Sequence, residues 1–232
     1  ATTACMNNMA GSAIINLYPN PVAYAVTGGG VRCEDEPGFD IGLAMSDAGI
    51  NYILYLDGVA TSNVVAGTGA AISFGTLTMA GTYTVKGMDA VTSCEAWMTG
   101  QAVIVVNPLP VVFNVLGGGG YCDGGPGSEI TLSGSELGVH YTLYHNGVAT
   151  SVVVAGNGSA ISFGSQVLAG IYTVGAENTT TGCIRMMNGS TDVMIYPLPM
   201  AQAGGFSIIC EGETANLVAT VSGGTTPYTY LW

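Results

Sequence analysis

Basic residues are nearly absent from this chain. Arg32, Lys86 and Arg185 are the only three, set against 15 Asp and Glu, for a formal net charge of -12. A nucleic-acid partner needs a basic patch, so that class is excluded. Attraction to an anionic membrane surface fails for the same reason. Charged residues of either sign make up 8% of the chain, where about 25% is usual, so the negative excess carries most of the solubility. Long apolar runs are missing too. No stretch approaches the roughly 18 residues that a spanning helix needs, which excludes insertion in a membrane by helices. No stretch shows a convincing 3.6-residue apolar period. No signal peptide is visible. The scarcity of lysine and arginine leaves few tryptic sites, which suits life outside a cell.

What the chain has is repetition. LYLDGVATSNVVAGTGAAISFG (54–75) returns as LYHNGVATSVVVAGNGSAISFG (143–164), 89 residues later. The match runs without a gap from Tyr24–Val112 onto Phe113–Ala201, with nearly half the positions identical. A period of 89 is too long for a solenoid unit of about 20–50 residues and fits a small domain. We therefore read two tandem domains, 24–112 and 113–201. At the amino end, Cys5 falls on Cys94, Pro19 on Pro108 and Pro21 on Pro110. Residues 1–23 thus read as the last strand of a preceding repeat. At the carboxyl end, 202–232 reads as the start of a third, divergent repeat, with Cys210 one position short of the period. These ends predict a stretch of a longer polypeptide. The competing reading is a complete chain whose amino-terminal strand completes a neighbour's carboxy-terminal module, as donor-strand assemblies do.

Each repeat is patterned for strands. FDIGLAM (39–45), NYILYL (51–56), GTYTVKG (81–87) and QAVIVV (101–106) alternate with period 2 and are bounded by Gly, Asp, Asn or Pro. Asp57-Gly58 and Asn146-Gly147 occupy equivalent places between apolar runs. Both central residues of a type I′ hairpin need positive φ, which these pairs supply. About seven short strands with regular turn signals predict an all-β chain of tandem immunoglobulin-like antiparallel β-sandwiches. AGTYTV (80–85) and AGIYTV (169–174) resemble a tyrosine corner, with Tyr83 and Tyr172 bonding back to the backbone. A plain core tyrosine is the other reading. Val85 and Val174 stand where antibodies carry a cysteine, so the buried disulfide of that fold is not expected. The proline motifs at 19–21, 108–110 and 197–199 close successive repeats and stiffen the joints.

The cysteines repeat as well. Cys33 and Cys94 are 61 apart, as are Cys122 and Cys183. Disulfides are the expectation for such a set. The simplest pairing is within repeats, Cys33–Cys94 and Cys122–Cys183, leaving Cys5 and Cys210 to partners outside this stretch. Against it, an immunoglobulin-like strand order puts Cys33 and Cys94 at opposite ends of a sandwich, and a disulfide needs Cα atoms within about 7 Å. The alternative pairing is Cys33 with Cys183, stapling one domain to the next.

Residues for chemistry are few. No G-x-S-x-G elbow, phosphate loop or H-E-x-x-H occurs, so no enzyme is expected. His140 and His145 have Asn51 and Leu56 as counterparts and read as surface decoration. No CxxC pair or histidine cluster suggests a metal. Glu34, Asp35, Glu36 and Asp40 form an acidic cluster, and Ca²⁺ takes oxygen ligands. The second repeat has Asp123, Gly124, Gly125 and Glu129 there, which favours a solvated acidic turn and no cofactor. GGG (28–30) and GGGG (117–120) lack the strand-to-helix setting of a nucleotide site and read as loops or bulges. Asn157, Asn178 and Asn188 open N-x-S/T sequons, which matter only in a host that glycosylates them.

The shared pattern is C-x-x-x-PG, G-x-x-Y-x-L-Y-x-x-GVATS, AISFG, AG-x-YTV, C and M-x-G, then a proline motif. It resembles the tandem modules of large secreted surface proteins of Bacteroidota. CEGETANLVATVSGGTTPYTYLW (210–232) is similar to polycystic-kidney-disease-like and SprB-type repeats. The resemblance implies export by the type IX system to the cell surface, for adhesion, gliding motility or extracellular fibres. The expected function is a non-catalytic structural region, an adhesin stalk or filament, partnered by neighbouring repeats or identical subunits. The alternative is an array of glycan-binding modules attached to a larger secreted enzyme or adhesin. That reading needs exposed aromatics in a concave site, and Trp97 aligns with Met186, so no aromatic platform recurs.

Overall fold

The computed structural model describes residues 11, 14–204, 208–215 and 218–229; Cys5, Tyr230, Leu231 and Trp232 lie outside them. Among the described residues every regular element is a β-strand. The chain divides into two compact units, Ala1–Asn107 and Pro108–Trp232. Residues 14–23 form no strand.

The first unit contains β1 (Val26–Thr27), β2 (Gly30–Cys33), β3 (Phe39–Leu43), β4 (Ile50–Leu56), β5 (Val59–Ala66), β6 (Ile72–Leu77), β7 (Gly81–Asp89), β8 (Glu95–Trp97) and β9 (Ala102–Asn107). One sheet has the order β1-β3-β6; the other is β2-β9-β7-β4-β5, with β8 also on β7. This is an immunoglobulin-like sandwich. Its strand-to-strand pairings are antiparallel except one: β2 runs parallel to β9, with Cys33 opposite Asn107. The reason is the glycine run. Gly28, Gly29 and Gly30 all have positive φ, and a Cβ on Gly28 would sit 2.0 Å from the Asp40 carbonyl oxygen. The glycines let the first strand leave one sheet after β1 and join the other as β2, which an ordinary side chain would block. The run is therefore a crossing between sheets.

Alternation along the strands builds the core. β4 buries Ile50, Tyr52 and Leu54 on one face, and β7 buries Tyr83 and Val85. These pack with Ile41, Leu43, Phe74 and Ile104. Each such side chain is worth about 1.5–3 kcal/mol of transfer free energy. Asp57 and Gly58 have φ of 48° and 79°, as a type I′ turn requires. The Asp57 carboxylate also accepts the Thr82 amide at 2.8 Å. Tyr83 donates its hydroxyl to the Met79 carbonyl at 2.9 Å.

The second unit repeats this plan with β10 (Val115–Gly117), β11 (Gly119–Cys122), β12 (Ser128–Leu132), β13 (Val139–His145), β14 (Val148–Ala155), β15 (Ile161–Gln166), β16 (Gly170–Asn178), β17 (Ile184–Met186) and β18 (Thr191–Tyr196). Again one sheet is β10-β12-β15 and the other runs β11-β18-β16-β13-β14, with β11 parallel to β18. Asn146 and Gly147 repeat the turn, at 48° and 80°. The Asn146 side-chain oxygen takes the Ile171 amide at 2.9 Å. Tyr172 bonds the Leu168 carbonyl at 2.9 Å. Beyond the second proline motif, β19 (Met200–Gly204) pairs with β20 (Val218–Ser222).

The within-repeat disulfides are corrected by the structure. Cys94, Cys122 and Cys210 carry free thiols. Cys33 and Cys183 are disulfide-bonded. The obstacle is strand length. Cys33 lies opposite Asn107 at the end of β9, whereas Cys94 lies beside Asp89 at the far end of β7, its carbonyl accepting the Asp89 amide at 2.9 Å. The span of β7 alone is about 26 Å at 3.3 Å per residue, several times what a disulfide bridges. The same register separates Cys122 from Cys183.

The buried phenols give the fold an alkaline limit. Burial raises the pKa of Tyr52, Tyr83, Tyr141 and Tyr172 above the ordinary value. A group whose folded pKa is raised contributes stability below its unfolded pKa, about 10 for tyrosine, and loses it as pH climbs. Stability is therefore expected to be flat on this account up to pH 9 and to fall above pH 10. Denaturant midpoints measured from pH 8 to 11 check this; no loss above pH 10 refutes it.

Candidate functional site at the ends of the repeats

Each repeat has a leading end, where the chain arrives, and a trailing end, where its last strand runs out. At the trailing end of the first repeat, Arg32 on β2 is only 7% exposed. Its guanidinium donates to the carbonyls of Glu34 (2.8 Å), Thr78 (3.1 Å) and Glu36 (2.9 Å from Nε). The Glu36 carboxylate accepts the Cys33 amide at 2.7 Å. A buried cation is thus solvated by main-chain oxygens, which makes it tolerable and fixes the turn that carries Cys33. The counterpart in the second repeat is Tyr121, whose hydroxyl donates to Val167 at 2.6 Å. Val167 is the counterpart of Thr78, so two unlike side chains bridge to the same carbonyl. Arg32→Ala is expected to cost the first repeat about 2–3 kcal/mol, the scale of charged hydrogen bonds left unmade. Arg32→Tyr should recover most of it. Urea midpoints test this, and equal loss in both variants defeats it.

The leading end is built around the turn after β7. The Asp89 carboxylate accepts the amides of Val91 (2.9 Å) and Thr92 (2.8 Å). These bonds, Thr92's first, hold its pKa below the usual carboxylate value. Asn178 makes the same turn with Thr180 and Thr181. Cys94 and Cys183 follow directly. Nearby, the Tyr24 amide donates to Met98 Sδ at 3.4 Å, and the Phe113 amide does so to Met187. The Cys94 thiol lies 4.0 Å from the Tyr18 carbonyl, on chain arriving from upstream.

The acidic residues do not converge. Asp40 faces Ser73, with which it hydrogen-bonds, and Glu36 is engaged with Cys33. Among the described residues no group of three or more His, Cys, Asp and Glu is placed to hold a metal. His145 stacks on Tyr172 with ring centroids 4.7 Å apart and contacts the Ala169 carbonyl at 3.0 Å. On the outer face of the first repeat, Trp97 is 51% exposed and meets Tyr55 edge-on at 4.7 Å. Lys86 lies 5.5 Å over the Trp97 ring and pairs with Glu95, whose hydrogen bond raises the lysine pKa. Sequence reasoning overlooked this group because its members sit on two strands, β7 and β8, and on β4. Only the period-2 facing of Tyr55 and Lys86 could have signalled it. The second repeat has Tyr144, Gly175, Ile184 and Met186 in its place.

No protein-family model matches the chain, and no curated protein does. Among solved structures it is similar to the full ectodomain (Ig1–Ig3) of mouse nectin-like molecule 4. The identity is 15% over 85% of this chain and 77% of that one, with a TM-score of 0.42. It is also similar to fibronectin(III)-like modules of Clostridium thermocellum CbhA, at 10% identity over 75% and 95% of the two chains, TM-score 0.37. The FN1–FN3 domains of chicken CNTN1 follow at 14%, 76% and 68%, TM-score 0.33. The fold itself rests on the sheet order given above: tandem immunoglobulin-like β-sandwiches.

Proposed function

We propose that this chain is a structural repeat region of a secreted, cell-surface protein, acting as an extended adhesin stalk or extracellular filament. One observation carries the reading. What the two repeats share is the scaffold: the Asp/Asn-Gly turn, the tyrosine bonded to the corner carbonyl, the glycine crossing and the cysteines at the two ends. What differs is the outer face, where Trp97 becomes Met186, Lys86 becomes Gly175 and Glu95 becomes Ile184. A binding array would repeat its binding surface. The disulfide supports an oxidising location, and no helix of the described residues is long and apolar enough to cross a membrane. The motif resemblance extends the proposal to export by the type IX route.

Electron microscopy of the native protein, at the cell surface and after shearing, tests this. Thin extended particles or ordered filaments are the expected result. Compact particles that bind oligosaccharide through the Trp97 face would sink it and favour the glycan-binding reading.

A further inference from the structure

The free thiols are not scattered. In both repeats one cysteine stands at the trailing end, Cys33 and Cys122, and one at the leading end, Cys94 and Cys183. Of these four, Cys33 and Cys183 are disulfide-bonded. They are a trailing-end and a leading-end cysteine of successive repeats. Cys94 and Cys122 occupy the two equivalent positions that carry free thiols. Each therefore has, one period away, a counterpart that is bonded, in the same register and beside the same strand end. A second feature concerns Cys122 alone. Within the second unit it is exposed and lines a cavity of about 310 Å³ with Tyr196, Pro197, Pro199, Pro227 and Tyr228. The chain that opens the third repeat thus folds back onto the end where Cys122 stands.

We propose that these modules are linked in series by one disulfide per joint, from the trailing-end cysteine of one module to the leading-end cysteine of the next. Cys122 is the donor half of one such joint and Cys94 the acceptor half of another. The partner of each is another module of this class, further along the same polypeptide or in a second copy. Cys210, by its place in the period, is a trailing-end cysteine and so does not pair with Cys122. Each joint forms when two thiols give up two protons and two electrons. A disulfide oxidant, protein or small-molecule, accepts them and leaves as two thiols. This inference rests on the reading of the chain as a structural array.

The test is disulfide mapping of the native protein released by shearing. Free thiols are blocked with iodoacetamide before reduction, and the chain is digested with pepsin, since trypsin finds few sites. Cys94 and Cys122 are expected to resist blocking almost completely and to appear in peptides joined to a cysteine of the opposite kind. A non-reducing gel separates the two sources. Links along one polypeptide leave a single-chain mass, and links between copies give a ladder that collapses on reduction. Quantitative blocking of Cys94 and Cys122, or a Cys122–Cys210 peptide, overturns the proposal. Cys122→Ser supplies the control: it should leave Cys33 and Cys183 bonded while freeing one further thiol at the facing end, and loss of no linkage counts against the proposal. Micrographs of the same sample keep the two ideas apart. Extended particles with blocked thiols refute the linkage alone, and compact particles refute the array.

Discussion

A chain carrying Tyr141→Ala loses about 3–5 kcal/mol from its second repeat, the range seen when a large aromatic is removed from a packed core. Tyr141 is fully buried on β13, against Ile130, Leu143 and Val174. Its hydroxyl also accepts the Glu136 amide at 2.9 Å, so truncation leaves both a cavity and an orphaned donor. Domains commonly have 5–15 kcal/mol in hand, so this repeat would approach unfolding at 37 °C. Tyr141→Phe keeps the ring and should cost only about 1 kcal/mol. The first repeat offers an internal reference, because Trp97 lies within it. In a Trp232→Phe background its fluorescence reports that repeat alone. Circular dichroism should show the lost stability while the Trp97 transition holds its midpoint. A Trp97 transition displaced as far as the dichroism would contradict separate folding of the repeats.

Gly156→Ala is expected to cost about 3 kcal/mol or more, the upper end for overpacking. Its φ is not in the left-handed region, so the reason is steric. An added Cβ would stand 1.9 Å from the Glu136 carbonyl oxygen and 3.0 Å from Tyr141 Cε2. Backbone cannot rotate aside as a side-chain tip can. Gly67 meets Asp47 and Tyr52 in the same way, at 1.9 and 2.9 Å. Gly158, two residues on, has φ of +81° and nothing within 4 Å. Gly158→Ala pays only the left-handed conformation, about 1–2 kcal/mol. Guanidinium midpoints of the two variants should fall in that order, and the reverse order rejects the clash.

The sandwich was legible because its signals are local. A hairpin announces itself in Asp57-Gly58, and its renewal as Asn146-Gly147 keeps both the φ requirement and the side-chain acceptor for the next strand. The disulfide was not legible from spacing, since equal intervals of 61 suggest pairs within a repeat. Only the direction of β7, running from one end of the sheet to the other, separates those cysteines. The glycine runs read as loops from composition. Their role in passing a strand between sheets depends on Asp40 and Glu129 carbonyls contributed by another strand. Arg32 gave no signal, because a lone arginine in a strand pattern ordinarily points to solvent. Its acceptors are backbone atoms, which no side-chain motif encodes.

The parallel pairing of β2 with β9 has a mechanical meaning. These strands lie near the two ends of the repeat, side by side and pointing the same way. Tension applied through the termini pulls β2 toward one end and β9 toward the other, along their shared ladder. The hydrogen bonds from Gly30 to Cys33 are then loaded together, in shear, and must fail as a group. An antiparallel terminal pair would peel open one bond at a time. Single-molecule stretching should show the rupture force drop sharply when Val105→Pro removes a β9 donor from that ladder, and an unchanged force would place the resistance elsewhere. A tether assembled from such units resists a steady pull at every link along its length.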